Sequence, residues 1–108
     1  MEHRWSKRQA VALRVRIHQA GLPAVAAVAR NIGLEGLFVE YPPGANQGGK
    51  LLNLEISLGD GQRRRCYFVP GLIRHVSEQG VGVMFNTFNP RLFQALDDML
   101  HPSGRHGA

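Results

Sequence analysis

From Val11 to Ile17 the chain alternates, with Val11, Leu13, Val15 and Ile17 on one side and Ala12, Arg14 and Arg16 on the other. That period of two predicts a strand with one face buried. Leu51 to Leu58 repeats the pattern, with Leu52, Leu54, Ile56 and Leu58 together and Asn53, Glu55 and Ser57 opposite. Gly59-Asp60-Gly61 follows and predicts a hairpin, because Gly and Asp tolerate positive φ. The return strand is expected from about Arg64 to Val76, with Pro70-Gly71 marking a bulge or a bend. Val81, Val83 and Phe85 alternate with Gly82 and Met84 in a further strand, and Leu37 to Tyr41 is a shorter one that stops at Pro42-Pro43. The run PPGANQGGK that leads to Lys50 predicts an exposed loop. Leu22 to Ala29 (LPAVAAVA) has the alanine content of a helix but no helical stripe, so the residues alone leave helix and strand open.

The period changes near the C-terminus. Asn89-Pro90 suits a helix start, with Asn as N-cap and Pro at the first helical position. Leu92, Phe93, Leu96, Met99 and Leu100 then recur at helical spacing and predict a helix over about 89–100 packed on one side of the sheet. Residues 101–108 are expected to form a disordered tail. Short strands separated by turn signals, with one closing helix, define an all-β class, barrel or sandwich.

Composition narrows the setting. The chain has 108 residues, which fits one domain, and 44% of them are hydrophobic, enough for a small core. Its single cysteine excludes an internal disulfide framework and a Cys-based zinc site. No apolar run is long enough to span a membrane, and the charged start Met1 to Arg8 lacks the apolar stretch of a signal peptide. A reducing cytoplasm is the expected location. The formal net charge is +5 and unevenly spread. Glu2 is the only acid before Glu35, whereas Arg4, Lys7, Arg8, Arg14, Arg16 and Arg30 fall between them. Such a cationic third attracts an anion by its field without saying which anion.

Catalysis has little support. Cys66 and His75 both fall in one strand-like run, and nothing near the thiol marks it as activated. The histidines lack zincin-like or finger-like spacing, so no metal site is expected. Gly80-Val81-Gly82 lacks the third glycine of a dinucleotide fingerprint, and Asp97-Asp98 do not face each other on a helix. Two small constellations remain. Arg4 and Arg8 form R-x-x-x-R just before the first strand, and guanidinium groups suit phosphate and the edge of guanine. Asn31-Ile-Gly-Leu-Glu-Gly36 lies between two strand candidates, where Asn can bond a base edge and Gly33 and Gly36 permit close approach. Read singly, the first is an ordinary basic arm and the second an ordinary turn.

Together and in this order, the two constellations resemble the PilZ domain family of cyclic di-GMP receptors, which carries R-x-x-x-R on an N-terminal arm and then [D/N]-x-S-x-x-G. Arg4 and Arg8 match the first motif, Asn31 and Gly36 the ends of the second, and Glu2 stands where many members carry an acid. Ile73-Arg-His-Val and Gly80-Val-Gly-Val-Met-Phe85 look like the closing strands, so the resemblance runs from Glu2 to about Leu100. The family's serine is Gly33 here. A neutral hydrogen bond is worth about 0.5–1.5 kcal/mol. Its loss therefore weakens binding roughly tenfold at most.

The resemblance implies a six-stranded antiparallel β-barrel over residues 10–100, with Leu22 to Ala29 as a strand. A flexible arm, residues 1–9, would fold over the dinucleotide. Arg4 and Arg8 would take phosphates and guanine edges, Asn31 a guanine, and Gly33 and Gly36 would line the site. Trp5 is a further candidate, for stacking on a base or for packing on the barrel. The expected function is that of a bacterial signalling receptor with no cofactor and no enzymatic activity, which binds cyclic di-GMP and changes the surface it offers to a protein partner. Two rivals stand beside it. Gly33 suits a ligand-independent adaptor working through protein contacts alone, and Arg63-Arg64-Arg65 suits a small-barrel nucleic-acid binder, the less favoured of the two.

Overall fold

A computed structural model describes residues 8–41, 50–59 and 61–101. The strands are β1 (Gln9–His18), β2 (Val25–Ile32), β3 (Gly36–Glu40), β4 (Leu51–Leu58), β5 (Arg65–Val76) and β6 (Gly80–Phe85), followed by the helix α1 (Pro90–Leu100). They close into one antiparallel barrel in the order β1-β2-β3-β6-β5-β4. Alternation dictates the closure. Leu13, Val15 and Ile17 of β1 point inward with Leu52, Leu54, Ile56 and Leu58 of β4, while Arg14 and Arg16 stay exposed.

The Ala-rich segment becomes a strand only from Val25 and then runs on to Ile32. Pairing of Ile17 to Val25 through Gln9 to Ile32 supplies the backbone partners that decide against a helix. Asn31 therefore belongs to β2, and Gly36 opens β3, so the connecting turn is only residues 33–35. Between Ala29 and Asn31 the β2–β3 register slips by one residue. Such a bulge re-aims side chains. Consecutive residues Arg30 and Asn31 both reach partners on the outer surface.

Pro70-Gly71 is not a bulge against β4. The β4–β5 register is continuous through Asn53↔Pro70 and Leu52↔Gly71, and the slip lies later, between Ile73 and His75 against β6. The carbonyl of Pro70 accepts from the N–H of Asn86 (2.9 Å), one residue past the end of β6. Its missing N–H points to the same side, where no strand remains to need it.

Antiparallel order puts the starts of β1, β3 and β5 and the ends of β2, β4 and β6 on one rim. α1 plugs that end. Asn89 caps it, its Oδ1 accepting from the N–H of Leu92 (3.1 Å), with Pro90 in the first turn. Leu92, Phe93 and Leu96 are buried in the barrel core, each such side chain contributing about 1.5–3 kcal/mol. Phe93 meets Phe85 edge-on at 6.0 Å and stacks beneath Phe88 at 5.3 Å. The expected packing stripe is shorter than its sequence spacing suggests. Met99 is 40% exposed, although its neighbours Asp98 and Leu100 are half-buried.

Candidate functional site

The plugged rim gathers the sequence candidates that the structure describes. Arg8, exposed just before β1, donates from Nη1 to Oδ1 of Asn31 at 2.9 Å across 23 residues of sequence. β1 runs beside β2, with Ala10 opposite Asn31, so the residue entering β1 comes over the end of β2. Asn31 is half-buried and pairs on its other flank with Phe38 of β3. Gly33 is buried, and its N–H donates to the carbonyl of Gly36 (2.8 Å), which closes the turn. The carbonyl of Glu35 accepts from the N–H of Phe85 (2.7 Å), fixing the turn to the end of β6. Arg4 and Trp5 lie outside the described residues, as does the chain from residue 102.

Gly36 has a role the motif alone does not reveal. A Cβ there would lie 1.9 Å from the Val83 carbonyl oxygen, so the residue is glycine because β3 and β6 touch at that point. It fixes the turn and offers a ligand no more than its backbone.

Charge on the surrounding surface is partly neutralised. Arg30 clamps Glu40 with two contacts, Nε to Oε2 at 2.9 Å and Nη2 to Oε1 at 3.0 Å, which takes this cation out of the anion-attracting set. The Arg30 hydrogen bond holds the Glu40 carboxyl below its ordinary range. On the opposite flank of β1, Arg14, Arg16 and Arg64 surround Glu55, Ser57 and Cys66 in a shallow cleft of ≈ 690 Å³. Sequence reasoning counted Arg14 and Arg16 only as net charge, although their exposed phase in β1 already placed them on one face. The Glu55 carboxyl lies below its ordinary range, chiefly through His18, whose Nε2 is 2.8 Å from its Oε1.

The pairing of Cys66 with His75 does not form; the thiol lies 3.5 Å from Ser57 Oγ, beside the Glu55–His18 pair. Cys66 and His75 sit near opposite ends of β5, about 30 Å apart at roughly 3.3 Å per residue, too far to act together. Among the described residues, no group of three potential metal ligands forms, and no helix is long and apolar enough to cross a membrane. The rim instead offers a guanidinium with planar donors, an amide that both donates and accepts, and a tight glycine turn. Those groups suit recognition of a flat anionic ligand.

Fold and rim together define a small helix-plugged barrel of the binding or adaptor class. The PilZ domain family profile matches residues 2–101, and the chain belongs to that family, whose members act as cyclic di-GMP receptors and adaptors. Two solved structures share the fold. The Bacillus subtilis inhibitor of motility MotI/DgrA superposes with a TM-score of 0.66 at 21% identity, covering 82% of this chain and 45% of that one. This chain thus spans less than half of that protein. The PilZ domain of CeSA from a cellulose-synthesizing bacterium superposes with a TM-score of 0.59 at 15% identity, covering 86% and 93% respectively. No curated protein sequence matches the chain.

Proposed function

We propose that this chain is itself a cyclic di-GMP receptor, cytoplasmic and non-catalytic, whose arm closes over the dinucleotide and alters the surface presented to a protein partner. The hydrogen bond from Arg8 to Asn31 carries this reading, because it joins the last residue of R-x-x-x-R to the first residue of the second motif. Arg4 and Arg8 would clamp phosphates and guanine edges from the arm. Asn31 would turn its amide to a base, and the backbone of Gly33 and Gly36 would let the ligand approach. Trp5 remains a candidate for stacking on a base. No cofactor is needed for such a cycle.

Calorimetric titration of cyclic di-GMP, with GTP as control, tests the proposal. Arg8→Ala should keep the parent's melting temperature, since Arg8 is exposed and outside the core. It should weaken binding roughly 10- to 100-fold, because a charge-assisted contact is worth about 1.5–3 kcal/mol and about 1.4 kcal/mol is one decade. Equal affinity in Arg8→Ala would refute the clamp. A flat trace with folded parent protein would favour the ligand-independent adaptor, for which Gly33 at the family's serine position is the motivating observation.

A further inference from the structure

We propose that the trough between the β4–β5 hairpin and α1 is a docking groove for an acidic, amphipathic segment of a protein partner. A cationic triplet on a hairpin is ordinarily a solvated tip. Here the hairpin faces α1 across a shared cleft. Gly59 turns the chain at a φ of +96°, and a short 3-10 turn over Gly61–Arg63 brings Arg63, Arg64 and Arg65 to the edge of a cleft of ≈ 950 Å³. Tyr67, Ala95 and Met99 supply apolar wall from β5 and α1. A second cleft of ≈ 740 Å³ shares Arg65, Tyr67 and Ala95 with the first, so the two are continuous, and it adds Arg91 and Phe68.

Three observations select the occupant. First, Arg63, Arg64, Arg65 and Arg91 are all exposed, and among the described residues none of them holds a salt bridge, in contrast to Arg30 on Glu40. On a chain of net charge +5 the trough presents four guanidinium groups that, among the described residues, hold no salt bridge. Secondly, large apolar side chains edge the cations: Phe68 is 62% and Met99 40% exposed. Aromatic and thioether anchors beside arginine are the make-up of a protein-binding hot spot. Thirdly, Asp98 lines both clefts. A polyphosphate chain lying along the trough would meet that carboxylate, whereas a peptide can alternate acids toward the arginines with apolar residues toward Tyr67 and Met99. The trough also lies on the plugged rim, the end that carries Arg8 and Asn31, yet it shares no residue with them. The inference thus stands whether or not the dinucleotide binds.

The test uses the ¹⁵N-labelled full chain and two synthetic peptides long enough to span both clefts, one of repeated Glu and Leu, the other with each Glu replaced by Lys. A single-stranded oligouridylate serves as the third probe. The acidic peptide should shift amide resonances of residues 62–68 and 91–99 and bind more weakly as salt rises. The Lys peptide should do neither. Arg63→Glu combined with Arg91→Glu should keep the parent's spectrum elsewhere, keep its response to cyclic di-GMP, and lose at least about tenfold in peptide affinity. An acidic peptide that moves nothing, or that shifts the Arg14–Arg16 face instead, overturns the proposal. Tighter binding of the oligouridylate in the trough overturns it as well and assigns the groove to nucleic acid.

Discussion

Gly36 ends the second motif, and a loss of binding on its mutation would ordinarily be read as a lost ligand contact. The packing argues otherwise. Ala at this position would put its Cβ 1.9 Å from the Val83 carbonyl oxygen, 2.9 Å from its carbonyl carbon and 3.0 Å from the Met84 Cα, all of them backbone. Real Cβ contacts do not fall below 3.0 Å, so β3 and β6 must separate by more than an ångström at the rim, and no rotamer change relieves it. Gly36↔Met84 and Leu37↔Val83 are the first pairs of that ladder, beside the Phe85-to-Glu35 bond that ties the turn down. Overpacking typically costs about 1–3 kcal/mol, and rigid backbone places Gly36→Ala near the upper end, about 3 kcal/mol. For a domain this small that lowers the melting temperature by roughly 12–20 °C. Gly82→Ala is the internal control, since its nearest neighbour would be the His75 Cβ at 3.5 Å, an ordinary contact. Denaturant titration of both variants reads the difference directly. A Gly36→Ala protein within about 0.5 kcal/mol of the parent would refute the steric argument and return Gly36 to the ligand.

Three further outcomes are expected. Asn89→Ala removes the cap that accepts from the Leu92 N–H and should cost about 1 kcal/mol in chemical denaturation; no change would mean that Pro90 and burial alone fix the helix start. Glu55 has a carboxyl pKa lowered from about 4.5, chiefly by His18, so it contributes stability above that pH and loses it as the pH falls through the lowered folded value. His18→Ala should therefore move the acid-unfolding midpoint to higher pH, and an unmoved midpoint in a pH titration of the circular dichroism would exclude that linkage. Gly33→Ser, which restores the family's hydroxyl, should tighten cyclic di-GMP binding by up to about tenfold in calorimetry, and an unchanged affinity would show that the hydroxyl is not missed here.

What could be read from the sequence follows from contrast between neighbouring residues. β1 and β4 alternate leucine, isoleucine and valine with arginine, glutamate and asparagine, so their phase, their inner face and the all-β class were legible before any coordinates, while the choice of barrel over sandwich came from the family resemblance. β2 has alanine at several positions and little such contrast, and its limits are set by its partners in β1 and β3 rather than by its own residues. The Ala29–Asn31 bulge is likewise a property of the pairing. Without it Asn31 would be read as a turn residue, when in fact it is a strand residue turned outward toward Arg8. The candidate site was legible only as two motifs in order, since nothing in a separation of 23 residues says that Arg8 and Asn31 touch. Arg63-Arg64-Arg65 was plainly visible, but its opposite wall was not. Met99 reads as core by spacing, but it is exposed and lines the cleft beside the arginines.

The Arg8–Asn31 bond also sets the scale of any switch. Without ligand, the Asn31 acceptor is already occupied by Arg8, at an exposed position where such a bond adds little net stability. On the proposed receptor reading, a dinucleotide phosphate that drew Arg8 away would free the amide for a base edge, and arm closure and base reading would be coupled through one side chain. Moving a two-state arm from about 1:99 to 99:1 requires about 5.5 kcal/mol of differential binding. One arginine–phosphate contact at about 1.5–3 kcal/mol falls short of that, and two together, at about 3–6 kcal/mol, reach it only at the upper end of the range. On the proposed reading, a full switch would need both arginines of R-x-x-x-R, each near its strongest contact. The turn that follows β2 and Asn31 is tied through Glu35 to Phe85, and Phe85 packs on Phe93 in the first turn of α1. These two contacts connect the end of β2 to the helix that forms one wall of the arginine trough. Ligand and partner need not touch to influence each other; they need only favour different positions of α1.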